Sequence, residues 1–182
     1  LSMRAAVVGL GGVGMCALLG AVASGATEIV AIDLNDGKLE MARQLGATHV
    51  VNARDPDAIA KVKEATRGGV DFAFEMAGVV PAMELSYRVT KRGGTTVTAS
   101  LPHPQHNWPL QQVSLVAEER TVKGSYIGSC VPARDVPRYI GLYLAGKLPI
   151  NKLMGERMKL DDINRGFDRL DAGESMRDLV VF

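Results

Sequence analysis

Charge imbalance, cysteine and histidine are all scarce in this chain, and each scarcity removes a class of function. Lys and Arg number 21 against 20 Asp and Glu, a net charge of +1 over 182 residues. With no basic stripe there is no electrostatic footprint for nucleic acid, and with no polybasic segment there is none for anionic lipid. Neither nucleic acid nor a membrane surface is expected as a partner. Two cysteines, Cys16 and Cys130, cannot build a disulfide framework or a thiolate metal cage. Both read as packing residues, Cys16 as a buried one inside an apolar first helix. The only metal-like histidine spacing is His103-Pro104-Gln105-His106. It lies in a Pro-rich loop that cannot hold two imidazoles on one helical face, and two histidines leave a zinc site two ligands short. No Ser/His/Asp or Cys/His arrangement for nucleophilic catalysis emerges. The expectation is therefore no catalytic and no metal-ligating residue in this chain.

Charge is missing altogether from Ala5 to Thr27, a run preceded by Arg4 and containing Ala21-Val22-Ala23. Such a run imitates a secretory signal or a membrane span. Its six glycines would weaken a membrane helix, and they sit where a phosphate-binding turn needs them. A cytoplasmic protein is the expectation.

What is present begins with Gly9-Leu10-Gly11-Gly12-Val13-Gly14. This GxGxxG loop follows the apolar run Ala5-Ala6-Val7-Val8 and opens the helix-like run Met15 to Ala23. A turn that brings its backbone against a pyrophosphate has no room for a Cβ at Gly9 or Gly11, and Gly14 lets the helix lie close on the strands. The helix N-terminus presents unpaired N–H groups to the phosphates. Asp33 ends a second apolar run, Ile29-Val30-Ala31-Ile32, 19 residues after Gly14. That is about where an acid takes the adenosine ribose hydroxyls of NAD. Loop, flanking elements and acid in register point to dinucleotide binding.

Strand-like and helix-like runs alternate to about residue 148, as in a parallel sheet with helices on both faces. Asn35 is placed to cap a helix carrying Leu39, Met41, Ala42 and Leu45, which Gly46 ends. His49 to Asn52 reads as strand three and Val70 to Glu75 as strand four, with the stripe Ala58, Val62, Ala65 between them. Pro81 suits a first helical turn, and Ala82, Leu85 and Val89 form its buried stripe. Gly93-Gly94 leads into strand five, Thr95 to Ala99. Leu101 to Pro109 is a loop, Thr121 to Ile127 a sixth strand, and Val136, Tyr139, Ile140, Tyr143 and Leu144 mark an amphipathic helix. Six strands complete a doubly wound α/β fold of order 3-2-1-4-5-6. Beyond Pro149 come a short segment, a helix bearing Ile163, Phe167 and Leu170 that Asp161 can cap, and a last strand, Leu179 to Phe182.

These residues carry a resemblance. Val8 to Gly14, Ile32-Asp33-Leu34-Asn35 with Lys38, Leu45-Gly46-Ala47-Thr48 leading to Val51-Asn52, Gly69 through Glu75 to Gly78, Lys123-Gly124-Ser125, and Asp162 to Asp168 followed by Gly173 to Arg177 resemble the coenzyme-binding half of the zinc-dependent, medium-chain alcohol dehydrogenase family. The resemblance implies a Rossmann domain over residues 1–148 and a tail, 149–182, that rejoins a catalytic domain. It implies NAD as cofactor, with the amides of Gly12 and Val13 facing the pyrophosphate and Asp33 and Lys38 at the adenosine ribose. Arg177 would pair with the pyrophosphate, and Ala77, Gly78, Ala99, Leu101 and Ile127 would line the track to the nicotinamide. The family's hydride transfer between an alcohol and NAD uses zinc ligands from an amino-terminal half, so zinc would belong to the longer enzyme and not to this chain. Starting at Leu1-Ser2-Met3, directly before the first strand, the chain reads as a fragment that is inactive alone. A homodimer is implied, joined across strand 121–127 with the region from Trp108 to Val116 covering the seam. A stand-alone NAD-binding module, an S-adenosylmethionine-dependent methyltransferase and a zinc-free quinone reductase preferring NADPH are the alternatives, and Asp33 speaks against the last.

Overall fold

The structure, a computed structural model, describes residues 3–182; the opening Leu1-Ser2 lies outside the described residues. Strands β1 (Arg4–Val8), β2 (Glu28–Asp33), β3 (His49–Asn52), β4 (Val70–Glu75), β5 (Thr90–Thr98) and β6 (Thr121–Gly124) form one sheet of order β3-β2-β1-β4-β5-β6. Every neighbouring pair is parallel. The chain order reverses between β1 and β4, where a crevice opens outside the carboxyl ends of the strands.

Parallel strands must be covered on both faces, and the period of two in side-chain direction sorts the residues accordingly. Val7, Ile29 and Ala31 face a cluster with Leu10 of the glycine turn, Met15, Leu18 and Leu19 of helix α1 (Gly12–Ala23) and Leu39 and Ala42 of α2 (Asp36–Gln44). Ala6, Val8, Val30 and Ile32 face the opposite cluster, with Ala58 and Val62 of α3 (Ala58–Ala65) and Val89 of α4 (Val80–Val89). The cap expected of Asn35 is present, its side chain accepting the Lys38 N–H at 3.2 Å.

Several expectations are corrected. Cys16 is exposed, because α1 buries the face of Gly14, Met15, Leu18 and Leu19 while apolar residues surround the whole helix, leaving its period without a readable polar side. Helix α4 buries Met83, Ser86 and Tyr87 along with Val89, and Ala82 and Leu85 are only partly covered. Strand β5 starts at Thr90 and bulges before Thr95, which pairs with Phe72. Within the stretch between strands five and six lies an unforeseen helix, α5 (Gln112–Ala117).

Strand six stops at Gly124, not Ile127. The Ser125 N–H makes a last bond to the Thr98 carbonyl at 2.8 Å. Ile127, Gly128 and Ser129 then turn through φ of 50°, 66° and 53°, a left-handed backbone no strand can hold. Helix α6 (Pro132–Leu144) is amphipathic as read, yet Asp135 is its one buried residue and its apolar stripe stands open. In the tail, β7 (Arg157–Met158) and β8 (Leu179–Val180) pair in parallel, so the last strand is shorter than its four apolar residues suggested. Helix α7 (Ile163–Asp171) follows a 3-10 turn, Leu160–Asp162, which places Asp162 rather than Asp161 at its N-cap, without a side-chain bond. Leu153 is buried in the α1-side cluster, with Leu148 and Met176 packed on it.

Candidate functional site

Glycines shape the crevice. Gly9 leaves β1 with φ +90°, and a Cβ there would stand 2.7 Å from Ala77 N and Cβ, so the turns after β1 and β4 touch. A Cβ on Gly14 would come within 1.8 Å of the Gly9 carbonyl oxygen; only glycine lets α1 begin beneath that turn. Gly11, expected to lack room, has no protein atom within 4 Å of a Cβ position. That open space is room a pyrophosphate can take. No side chain caps α1, so the first N–H groups of the helix, among them those of Gly12 and Val13, are free for an anion. Val13 itself is exposed.

The tail closes one side. A Cβ on Gly12 would stand 3.2 Å from the Met176 carbonyl oxygen and 3.5 Å from Arg177 Nη2. The Arg177 guanidinium therefore lies at the N-terminus of α1. Lys38 Nζ is 3.9 Å from the Cβ position of Gly173, which brings a second cation of the expected set against the same tail.

Asp33 is half-buried at the end of β2. Its Oδ2 accepts the Leu10 N–H at 2.6 Å and its Oδ1 the Asn35 N–H at 2.9 Å. A carboxylate offers about four acceptor sites, so each oxygen keeps one for a further donor. The next peptide is held too: the Leu34 carbonyl accepts from Arg54 Nη1 at 3.0 Å and from Asn52 Nδ2 at 3.4 Å. Asn52 Nδ2 also donates to Asp36 Oδ1 at 2.7 Å. Asn52 was legible only as the end of strand three and Arg54 carried no signal, and the structure makes them the brace of the Asp33 turn.

Beyond the switch point, Ala77 and Gly78 (φ +73°) form the turn after β4, and the Ala99 N–H donates to the Glu75 carbonyl at 3.2 Å. Leu101 is exposed, and so is Ile127, at 69%. A β-branched residue at positive φ is an outlier costing about 1–3 kcal/mol. Glu75 is the group the sequence reading passed over. Its carboxylate is buried and accepts the N–H groups of Ala77 and Gly78 and the Thr98 hydroxyl. Its signal was present, an acid ending the fourth strand two residues before Ala77-Gly78.

His103 and His106 sit in an exposed loop with tilted rings 5.6 Å apart. Among the described residues no three His, Cys, Asp or Glu side chains gather as metal ligands, so the residues present do not fit a zinc centre. No helix among the described residues is long and apolar enough to cross a membrane.

A glycine turn, a free helix N-terminus and a strand-ending acid at a switch point meet here, and comparison with known proteins says whose they are. Residues 12–145 match the family model described as zinc-binding dehydrogenase. The chain belongs to that family. Alcohol dehydrogenase 1 of Oryza sativa subsp. indica is 34% identical over 178 residues, 96% of this chain and 47% of the relative. S-(hydroxymethyl)glutathione dehydrogenase of Paracoccus denitrificans is 33% identical over 190 residues, 100% of this chain and 50% of the relative. The crystal structure of benzyl alcohol dehydrogenase from Acinetobacter calcoaceticus superposes with a TM-score of 0.92 at 32% identity, covering 97% of this chain and 48% of that one. The chain thus spans about half the length of the relatives it matches. Membership in a family of oxidoreductases overturns the methyltransferase alternative.

Proposed function

We propose that this chain is the NAD-binding part of an NAD-dependent alcohol dehydrogenase. The observation that carries the reading is the Asp33 carboxylate, placed beside the glycine turn with one acceptor site left on each oxygen. Two vicinal ribose hydroxyls need two such sites, each bond to a charged acceptor being worth about 1.5–3 kcal/mol. A 2′-phosphate would meet the same carboxylate as a like charge.

The fit extends along the crevice. The Gly12 and Val13 amides and the Arg177 guanidinium would hold the pyrophosphate, and Gly9, Gly11 and Gly14 would give it room. Lys38 would approach the ribose from the side of the tail. Ala77, Gly78, Ala99, Leu101 and Ile127 would line the nicotinamide side, where the strained backbone of Ile127 is of the kind stored at ligand clamps. When bound, NAD supplies a hydride acceptor, and this chain's contribution is to bind and orient it. The zinc and the alcohol would belong to the rest of the enzyme, in the cytoplasm, with residues 149–182 rejoining that part. The open apolar stripes of α6 and α7 support such a neighbour, since large uncovered patches mark interaction surfaces.

A homodimer across β6 belongs to the same reading. All four residues of β6 are exposed, β5 is its one strand partner among the described residues, and Val113 and Val116 on the preceding helix are uncovered. A bare edge of this kind is a template for a second chain.

Calorimetry with NAD and NADP tests the coenzyme assignment. NAD is expected to bind at least about tenfold more tightly, and Asp33→Ser to narrow the gap. Equal affinities in the unmodified chain would sink the proposal.

A further inference from the structure

Two acids end strands on either side of the switch point, Asp33 on β2 and Glu75 on β4, and they are employed differently. Each accepts the N–H of the residue two positions on, so each shapes the turn that follows its strand. Asp33 is half-buried and keeps acceptor sites for a ligand. Glu75 is 2% exposed, and three of its roughly four acceptor sites are used within the protein. Oε1 takes the N–H groups of Ala77 at 2.8 Å and Gly78 at 2.7 Å, filling both of its lone pairs, while Oε2 takes the Thr98 hydroxyl at 2.7 Å.

Burying a carboxylate is costly unless donors satisfy it, so these three bonds tie Glu75 and its turn into one unit. The unit also has a wall. Ala77 lies against Gly9, leaving no space for a Cβ there, so the turn after β4 is held between the glycine turn and the end of β5. A cavity of about 250 Å³, lined by Glu75, Gly78, Met83, Thr98 and Trp108 among others, adjoins it. Strands β1 and β2, with α1, build the other half of the crevice without Glu75.

We propose that Glu75 is a positioning residue for the nicotinamide half of the coenzyme, holding Met76–Gly78 in the shape that half requires; this rests on the NAD reading above. It acts through its bonds and not through its charge. Glutamine at the same position can accept both amides on Oε1 and donate from Nε2 to the Thr98 oxygen, so Glu75→Gln keeps the turn. Glu75→Leu fills the volume but leaves the two part-buried N–H groups of Ala77 and Gly78 without their acceptor. Its damage falls on the half crevice over β4 and β5, not on the half that takes adenosine.

The experiment is calorimetric titration of the chain with AMP and, separately, with NAD. Glu75→Leu is expected to bind AMP like the unmodified chain and NAD about tenfold or more weakly, the scale of one lost hydrogen bond to a charged group. Glu75→Gln is expected to bind both normally. Thr98→Val, which removes one of the three bonds, should weaken NAD alone and by less. Equal loss of AMP and NAD in Glu75→Leu, no loss of either, or a Glu75→Gln as impaired as Glu75→Leu each overturns the assignment. Should Glu75→Leu fail to fold, Thr98→Val decides: a loss confined to NAD supports the proposal, and an unchanged or nonselective result overturns it. An unmodified chain that binds neither nucleotide overturns the NAD reading itself, an outcome distinct from normal NAD binding by Glu75→Leu.

Discussion

From Arg4 to Thr98 the chain covers its own apolar surface, and from Leu101 to Phe182 it leaves most of that surface open. In the first stretch Val7, Leu10, Leu18, Ile32, Val62 and Val89 are almost wholly buried, because five strands and four helices close on both faces of the sheet. In the second, Val136, Tyr139, Ile140 and Leu144 of α6 and Phe167 and Leu170 of α7 are exposed. Their hydrophobic spacing is as regular as that of α2 or α3. A periodic stripe thus reports that a helix has a side to hide, while another element must supply the cover. Three of the exposed apolar residues in the first stretch, Val13, Leu34 and Val79, neighbour the crevice residues Gly12, Asp33 and Gly78.

The largest effect expected to separate the two stretches is from side-chain truncation. Leu18→Ala, in the cluster under α1, should cost about 2–5 kcal/mol, whereas Leu144→Ala, 77% exposed, should stay within about 0.5 kcal/mol. Urea unfolding of both variants measures this, and similar costs would erase the distinction.

A smaller effect is expected at the border between the stretches, strand β6. The Ser125 N–H points to β5, so by alternation the N–H of Val122 is turned outward. Val122→Pro should leave the β5 ladder intact and weaken self-association about tenfold or more, roughly 1.4 kcal/mol. Sedimentation at micromolar concentration reads the change. A monomeric parent chain, or a dimer indifferent to the proline, rules out edge pairing.

The smallest effect concerns acid. At the start of α6, Arg134 donates to both oxygens of Asp135 at 2.7 and 2.8 Å, and the Val131 N–H adds a bond of 2.8 Å. The Arg134 guanidinium, then that N–H, hold the Asp135 carboxyl well below the usual carboxylate range. A folded value below the unfolded 3.8 means that the contribution is complete above about pH 4 and is lost only as pH falls further, through the folded value. The NMR shift of the Val131 amide should therefore hold down to about pH 4 and move below it, with α6 fraying while β1 to β5 keep their protected amides. A Val131 midpoint at or above 3.8 would refute this.

Much of the first stretch was legible. Strands three and four agree with the reading to the residue, as does the Asn35 cap, because the positive-φ glycines Gly46 and Gly68-Gly69 stand between those strands and the helices before them, and the cap is a local contact. Strand six was overextended since Tyr126 and Ile127 have strand propensity, and the left-handed turn after Ser125 has no glycine until Gly128. The α4 stripe was placed on Ala82 and Leu85, while packing around Tyr87 draws Met83 and Ser86 inward; Tyr87 meets Trp108 edge-on and lies beneath the Arg120 guanidinium at 4.6 Å. Those partners are distant in sequence and leave no periodic mark.

The sequence by itself determined the glycine turn, the acid after the second strand and the parallel alternation. Each is a local demand: a backbone without room for Cβ, a helix start without a cap, strands hidden on both faces. Tertiary structure alone decided that Gly11 faces open space while Gly9 and Gly14 do not, that Arg177 returns from the tail to the start of α1, and that Glu75 is bound to Thr98, 23 residues away. It also decided that the apolar stripe of α6 stands open among the described residues. These outcomes depend on which distant segments share space, and that is set by the folding of the whole chain, to which composition and period are blind.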